Sequence, residues 1–198
     1  MKWIARCSGG RYAPWSIFRD GVDKFLVARF DGVFNRRLSL RQIPGETIAV
    51  FDPAFLTLRS RLEIGFRDGS RWHYVHHATR KLTGQMSGAT GRYDIVHHPG
   101  LYASIRHDGR QIAEIVENRL KWGHENVLDV TSDDDVDRDR FMAVLACYLA
   151  SGPIYQSNNG LFSINFGRLM PGYPPRASDW KPRLGSPATG PGSEDGAS

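Results

Sequence analysis

Asp137-Arg138-Asp139-Arg140-Phe141-Met142-Ala143-Val144-Leu145-Ala146-Cys147-Tyr148-Leu149-Ala150 decides how this chain is read. From Phe141 to Ala150 there is no charge, Gly or Pro. At about 100° per residue such a run covers every face of a helix, and a helix apolar all round must be enclosed by protein or by lipid. Ten residues rise only ~15 Å, about half a hydrocarbon core, so protein is the expected surroundings. The spacing predicts a helix over 136–150 with Phe141, Met142, Val144, Leu145, Ala146 and Leu149 in a core. Ser132-Asp133-Asp134-Asp135 supplies capping oxygens and negative charge at its start. Gly152-Pro153 ends it.

The residues before this helix read as strands. They are rich in aromatic and β-branched side chains and are cut by Gly, Pro and Asp-Gly, the dipeptide that favours tight hairpins. Asp-Gly stands at 20–21, 31–32, 68–69 and 108–109. The turns at 20, 68 and 108 separate Trp15–Arg19 from Phe25–Ala28, Leu62–Arg67 from Arg71–Val75, and Tyr102–His107 from Gln111–Ile115. Arg37–Gln42, Glu46–Phe51, Lys81–Met86, Arg92–His97 and Leu161–Phe166 also read as strands. Many short strands with frequent turns indicate an all-β barrel or sandwich. With one apolar helix added, the expectation is a closed antiparallel barrel threaded by that helix. Residues 1–170 then form one domain. Residues 171–198, dense in Pro, Gly and Ser, form a flexible tail that Trp180 could dock.

The chain has 198 residues, enough for a sizeable core, and no apolar run of the ~20 residues that span a bilayer. Trp3-Ile4-Ala5 before Arg6 is too short for a signal peptide. Two cysteines, Cys7 and Cys147, exclude a disulfide scaffold. Cys147 lies in the apolar helix and should be inert, whereas Cys7, beside Gly9-Gly10, is expected to be accessible. These features suggest a soluble, cytoplasmic protein. The net charge of +5 is uneven: residues 1–128 carry +8, residues 129–140 carry −4 and the remainder +1. A basic body attracts polyanions such as acidic bilayers and nucleic acid.

Catalytic motifs are missing. There is no Gly-x-Ser-x-Gly elbow, no phosphate-binding Gly-x-x-x-x-Gly-Lys-Ser/Thr loop and no His-Glu-x-x-His. His73, His76, His77, His97 and His98 cluster in sequence, but a zinc site needs three or four converging ligands. Asp133, Asp135, Asp137 and Asp139 alternate like an EF-hand. Arg138 and Val144 stand where that loop needs Gly and Glu, so it is excluded. The sequence reads as a non-enzymatic module without a cofactor.

The acidic lead-in, the basic residue and the apolar helix with central Ala146-Cys147 resemble the phospholipid scramblases of the tubby C-terminal-like superfamily. That superfamily also holds tubby-like and LURP-one-related proteins. Leu101–Ile115 is similar to its strand–Asp-Gly–strand hairpin, and the resemblance spans roughly residues 12–156. It implies a closed barrel of about twelve strands around a hydrophobic helix, and binding of anionic membrane lipid such as phosphoinositides. The chain departs from the pattern in its extension beyond the helix, and it lacks the Pro- and Cys-rich N-terminal segment of many scramblases. The tubby headgroup site uses a basic pair on a strand. By charge, Arg36-Arg37, Arg59 with Arg61, and Arg80-Lys81 are the candidates. Arg59 and Arg61 would share a strand face, which suits a phosphate clamp. By the same resemblance, Asp133, Asp135 and Asp137 are candidate calcium ligands, against the plainer reading of charge near a helix start.

The expected function is therefore an anionic-lipid binding module, peripheral at a membrane surface; Trp15 or Trp72, if exposed, would insert at the interface, though such a residue more often belongs to a core. The alternatives are a nucleic-acid-binding barrel, a protein-partner-binding barrel and a calcium-responsive, scramblase-like protein.

Overall fold

A computed structural model describes residues 1–8, 14–19, 23–31, 36–53, 61–77, 83–117, 120–122, 125–151, 162–164 and 172–184. The fold is mainly β, with one α-helix among the described residues. The strands are β1 (Lys2–Ser8), β2 (Trp15–Arg19), β3 (Asp23–Asp31), β4 (Arg36–Ile43), β5 (Thr47–Pro53), β6 (Arg61–Phe66) and β7 (Arg71–His76). They continue as β8 (Gly84–Gly88), β9 (Gly91–His97), β10 (Tyr102–His107), β11 (Arg110–Glu117), β12 (Leu120–Trp122) and β13 (Glu125–Ser132), then α1 (Arg138–Ser151) and β14 (Phe162–Ile164).

Twelve of these strands make one antiparallel sheet in the order β1-β13-β11-β10-β9-β8-β7-β6-β5-β4-β3-β2. β1 pairs with β13 on one side and with β2 on the other, so the ladder returns to its first strand. The Asp-Gly turns behave as their chemistry requires. Asp108 and Gly109 both take positive φ, at 48° and 84°, between β10 and β11, and Gly69 does so at 81° between β6 and β7. Period-two alternation then sorts the side chains. Ile64 and Phe66, Trp72 and Tyr74, and Ile95 and His97 turn inward, while Glu63, Arg71 and His73 are exposed.

α1 starts two residues later than the sequence suggested, because its cap is Asp137 rather than Ser132–Asp135. The Arg140 amide donates to Asp137 Oδ1 at 3.2 Å, and the Phe141 amide donates to the Asp137 carbonyl at 2.8 Å. From Phe141 to Leu149 every side chain is completely buried. The helix packs on β4, β5, β8 and β9. Its first apolar ring, Phe141, lies 5.9 Å from Trp3 of β1, and Tyr148 meets His97 of β9 edge-on at 5.7 Å. Contacts on strands so far apart in the ladder place the helix among the strands rather than on their outside.

On the inward face of β8 two glycines, Gly84 and Gly88, flank the buried Met86. A methyl group on Gly84 would lie 2.2 Å from the Tyr74 hydroxyl, and one on Gly88 would lie 2.3 Å from the Trp72 ring. The rings of β7 thus lie flat across the glycines of their neighbour. Trp15 and Trp72 are core residues, the plainer of the two readings, and so not membrane anchors, and Cys7, expected to be accessible, is buried. Their positions share the inward parity of β1, β2 and β7, which outweighs their place in the sequence.

The extension after the helix divides in two. Phe162–Ile164 does not join the main sheet but pairs with Leu120–Trp122. Residues 172–184, expected to belong to a flexible tail, instead lie as a strap against β9, β10, β11 and the acidic segment. His98, Ser104, Val96 and Ile112 are buried on this side.

Candidate functional site

The acidic segment illustrates how charge is handled. Asp133 is 1% exposed, and its carboxylate accepts from the backbone amide of Arg183 at 2.8 Å and from the Arg183 guanidinium at 3.1 Å. Arg110 stands 3.7 Å away. Asp135 pairs with Arg183 at 3.1 Å, and Asp134 accepts from the amino group of Met1. Asp137 caps the helix. Asp139 pairs with Arg67 at 3.0 Å. The proposed calcium ligands Asp133, Asp135 and Asp137 therefore do not converge. Each is engaged by an arginine or by backbone, and no group of three or more His, Cys, Asp or Glu able to hold a metal occurs among the described residues. The physical reason is the strap, which sequence could not place: it brings a guanidinium to the carboxylates from 50 residues away.

Arg140 fixes the mouth of the sheet beside the helix start. Its guanidinium lies over the Phe66 ring, 4.5 Å from the centroid, and donates to Asp68 and to Ser70 Oγ. Hydrogen bonds from Ser70 and then from Arg140 hold the Asp68 carboxyl well below the usual carboxylate range. Arg138 reaches Gln42 of β4 at 3.4 Å. This end of the molecule is a mesh of compensated charges rather than a basic platform.

Of the predicted headgroup residues, Arg61 is the one whose side chain is described. It is exposed at the start of β6, on the outer face, across the ladder from Val75. Arg36 and Arg37 lie on β4, with side chains outside the described residues, and Arg59, Arg80 and Lys81 are outside them altogether. Lys2, Arg6, Arg61 and Arg71 are exposed on β1, β6 and β7. Among the described residues none of these four has an ion-pair or hydrogen-bond partner, whereas Arg67, Arg92, Arg110, Arg138, Arg140, Arg176 and Arg183 each have an acid. These four lie on outer strand faces, and on that of β6 and β7 the exposed Glu63 stands with Arg61 and Arg71.

Sequence reasoning missed a polar group inside. Glu117 is buried at the end of β11 and accepts a hydrogen bond from the Tyr148 hydroxyl at 2.8 Å. The period-two pattern of β11, with Ala113, Ile115 and Glu117 of one parity, is the signal that would have found it. The bond fixes the rotation of the last helical turn, because a buried carboxylate needs its donor. His73 is exposed, and His98 is enclosed beneath the strap.

His76 follows Tyr74 on the inward parity of β7 and is half-buried. Burial, and then the neighbouring charge of His77, pull its pKa below the ordinary 6.5. The unfolded chain therefore binds the proton first as pH falls. Folding stability should decline from pH 6.5 downward until the lowered folded pKa is passed. Denaturant titrations at pH 7.5 and 5.5 check this. His76→Asn should shrink the difference between the two pH values, and an unchanged difference would remove His76 from the account.

Burial drives both thiols up, Cys147 most strongly, so neither cysteine serves as a nucleophile. No helix among the described residues is long and apolar enough to cross a membrane. Compared with known proteins, the chain has no significant match to a family model, a curated protein or a solved structure.

Proposed function

We propose that this chain is a non-enzymatic module that docks on anionic membrane lipid, of the tubby and scramblase type, with its sheet as the closed barrel and α1 as the central helix of that fold. The observation that carries this reading is the division of the arginines. Those near the helix start are consumed by acids, while Lys2, Arg6, Arg61 and Arg71 stand exposed without partners among the described residues. Exposed strand arginines attract phosphate headgroups through charge and bidentate hydrogen bonds. The motif resemblance of the helix segment adds the lipid class. Localisation would be peripheral, at a cytoplasmic membrane surface.

The test is sedimentation with vesicles. Binding to phosphatidylcholine vesicles containing acidic lipid or a phosphoinositide is expected, weakening as salt rises from 50 to about 300 mM. Arg61→Glu with Arg71→Glu should weaken it at least about tenfold, since each juxtamembrane charge contributes about 1 kcal/mol. Equal, salt-independent retention on neutral vesicles would overturn the proposal. Binding of single-stranded oligonucleotide with no binding of acidic vesicles would favour the nucleic-acid alternative. Calcium has no assigned role in this reading.

A further inference from the structure

The strap is held as a ligand is held. Residues 172–184 contain neither helix nor strand and add no ladder to the sheet. Their anchoring comes from a few polar contacts on seats that the sheet supplies. At the first seat, the Arg176 guanidinium lies 4.0 Å from the centroid of the Tyr102 ring and makes two hydrogen bonds to the Glu114 carboxylate, one of them at 2.7 Å. Glu114 is 13% exposed there, while Arg176 remains 38% exposed. At the second seat, seven positions on, Arg183 meets Asp133 and Asp135 and exchanges backbone contacts: its amide donates to Asp133 Oδ1 at 2.8 Å, and its carbonyl accepts from the Asp134 amide at 3.0 Å.

Between and before these seats lie two smaller contacts. The Trp180 indole donates to the Gln111 carbonyl at 3.2 Å, and His98 Nδ1 donates to the Pro174 carbonyl at 3.0 Å. Because a carbonyl only accepts, the neutral His98 ring carries its proton on Nδ1, and Nε2 accepts from the Ser104 hydroxyl at 2.8 Å. Glu114 and Asp133 are thus more buried than the arginines they hold, while Asp135 is an exposed second partner of Arg183. An aromatic face plus a fixed carboxylate is a selective guanidinium binder. Prolines at 174, 175 and 182 limit the conformational freedom that the segment loses on docking.

We propose that the outer face of β10 and β11, with the segment 133–135, is a recognition site for a peptide bearing prolines and two arginines seven residues apart, with a turn between them where the Trp180 amide donates to the Ala177 carbonyl. Residues 172–184 occupy it in cis and are exchangeable with a peptide of the same chemistry supplied in trans. The strap competes at an effective concentration of about millimolar, typical of a short tether, so the intact chain masks its own site. Specificity lies in the spacing and in the guanidinium geometry: lysine at either position offers no bidentate fork.

The experiment uses the full chain with the strap weakened, Arg176→Ala with Arg183→Ala, and a fluorescein-labelled peptide of the sequence 172–184. The double variant should bind the peptide at least about tenfold more tightly than the unaltered chain. Replacing both peptide arginines by lysine, or adding Glu114→Ala to the protein, should abolish the gain. A double variant with unchanged circular dichroism and no peptide binding would overturn the proposal. Should the double variant not fold, hydrogen exchange on the unaltered chain decides. Excess unlabelled peptide is expected to speed exchange of the strap's Arg183 amide, while leaving unchanged that of Asp134, which the peptide covers again, and those of β6 and β7. No acceleration would show that the strap is a fixed part of the fold.

Discussion

Leu145→Asp is expected to leave no folded protein at room temperature. Leu145 is wholly buried at the middle of α1, with buried helix neighbours on both sides in sequence. Removing its packing costs about 2–5 kcal/mol, as for other buried leucines cut short. A carboxylate placed there without a donor adds several kcal/mol more, whether it stays charged or takes up a proton. The total falls within the ~5–15 kcal/mol that holds a whole domain together. Leu145→Met, which keeps the volume, should cost less than about 1.5 kcal/mol and serves as the control. Thermal melts followed by circular dichroism and by size-exclusion chromatography read the result. A soluble Leu145→Asp protein with a cooperative melt near that of the unaltered chain would mean that the helix is not enclosed.

Gly88→Ala is the second large effect, and propensity alone would misjudge it. A strand glycine usually gains from a side chain, because glycine loses more backbone entropy on folding. Here the added methyl would sit 2.3 Å from Trp72 Cδ2 and 2.5 Å from Cε2, distances that no packing tolerates. Trp72 has nowhere to go: it is buried, with Phe66 at 6.3 Å on one side and Tyr93 at 5.8 Å on the other. An overpacked core of this kind loses about 1–3 kcal/mol or more, and each kcal/mol lowers the melting temperature by roughly 2–4 °C in a chain of this size. A drop of about 10 °C is expected. Gly65 on β6 provides the contrast. It faces outward with nothing within 4 Å of an added methyl, so Gly65→Ala should be neutral or slightly stabilising. In a double-mutant cycle, Trp72→Leu should remove most of the penalty of Gly88→Ala, and simple additivity would refute the clash.

Much of this was legible in one dimension, for identifiable reasons. The hairpins at 20, 68 and 108 follow from Asp-Gly between alternating strands, and the three pairs do form, β2 with β3, β6 with β7 and β10 with β11. β1 and β13 escaped the reading. Lys2–Ser8 is short and terminal, and Glu125–Ser132 stands between Gly123 and the acidic run without a hairpin signal. Both strands lie where the ladder meets itself, and they pair with each other across more than a hundred residues. No local pattern announces such a partner. The site residues were less legible. Arg61 is exposed on β6, while Arg59, with which it was expected to share a face, lies outside the described residues. The aspartates at 133, 135 and 137, read chiefly as charge near a helix start with calcium as the alternative, meet Arg183 and the helix backbone.

The amino-acid sequence by itself determined the buried helix, the Asp-Gly hairpins and the apolar parity of their strands. A run of ten residues without charge must be buried, and alternating strands must present one face to it, because water expels apolar surface whatever the topology. The tertiary structure alone decided where the charges end up. Glu117 under Tyr148, Arg140 over Phe66 and Arg183 upon Asp133 are pairings over 31, 74 and 50 residues of chain. A charged group's partner, whether an acid, a hydroxyl or a ring, is set by distance in space, which the fold fixes and the order of residues does not.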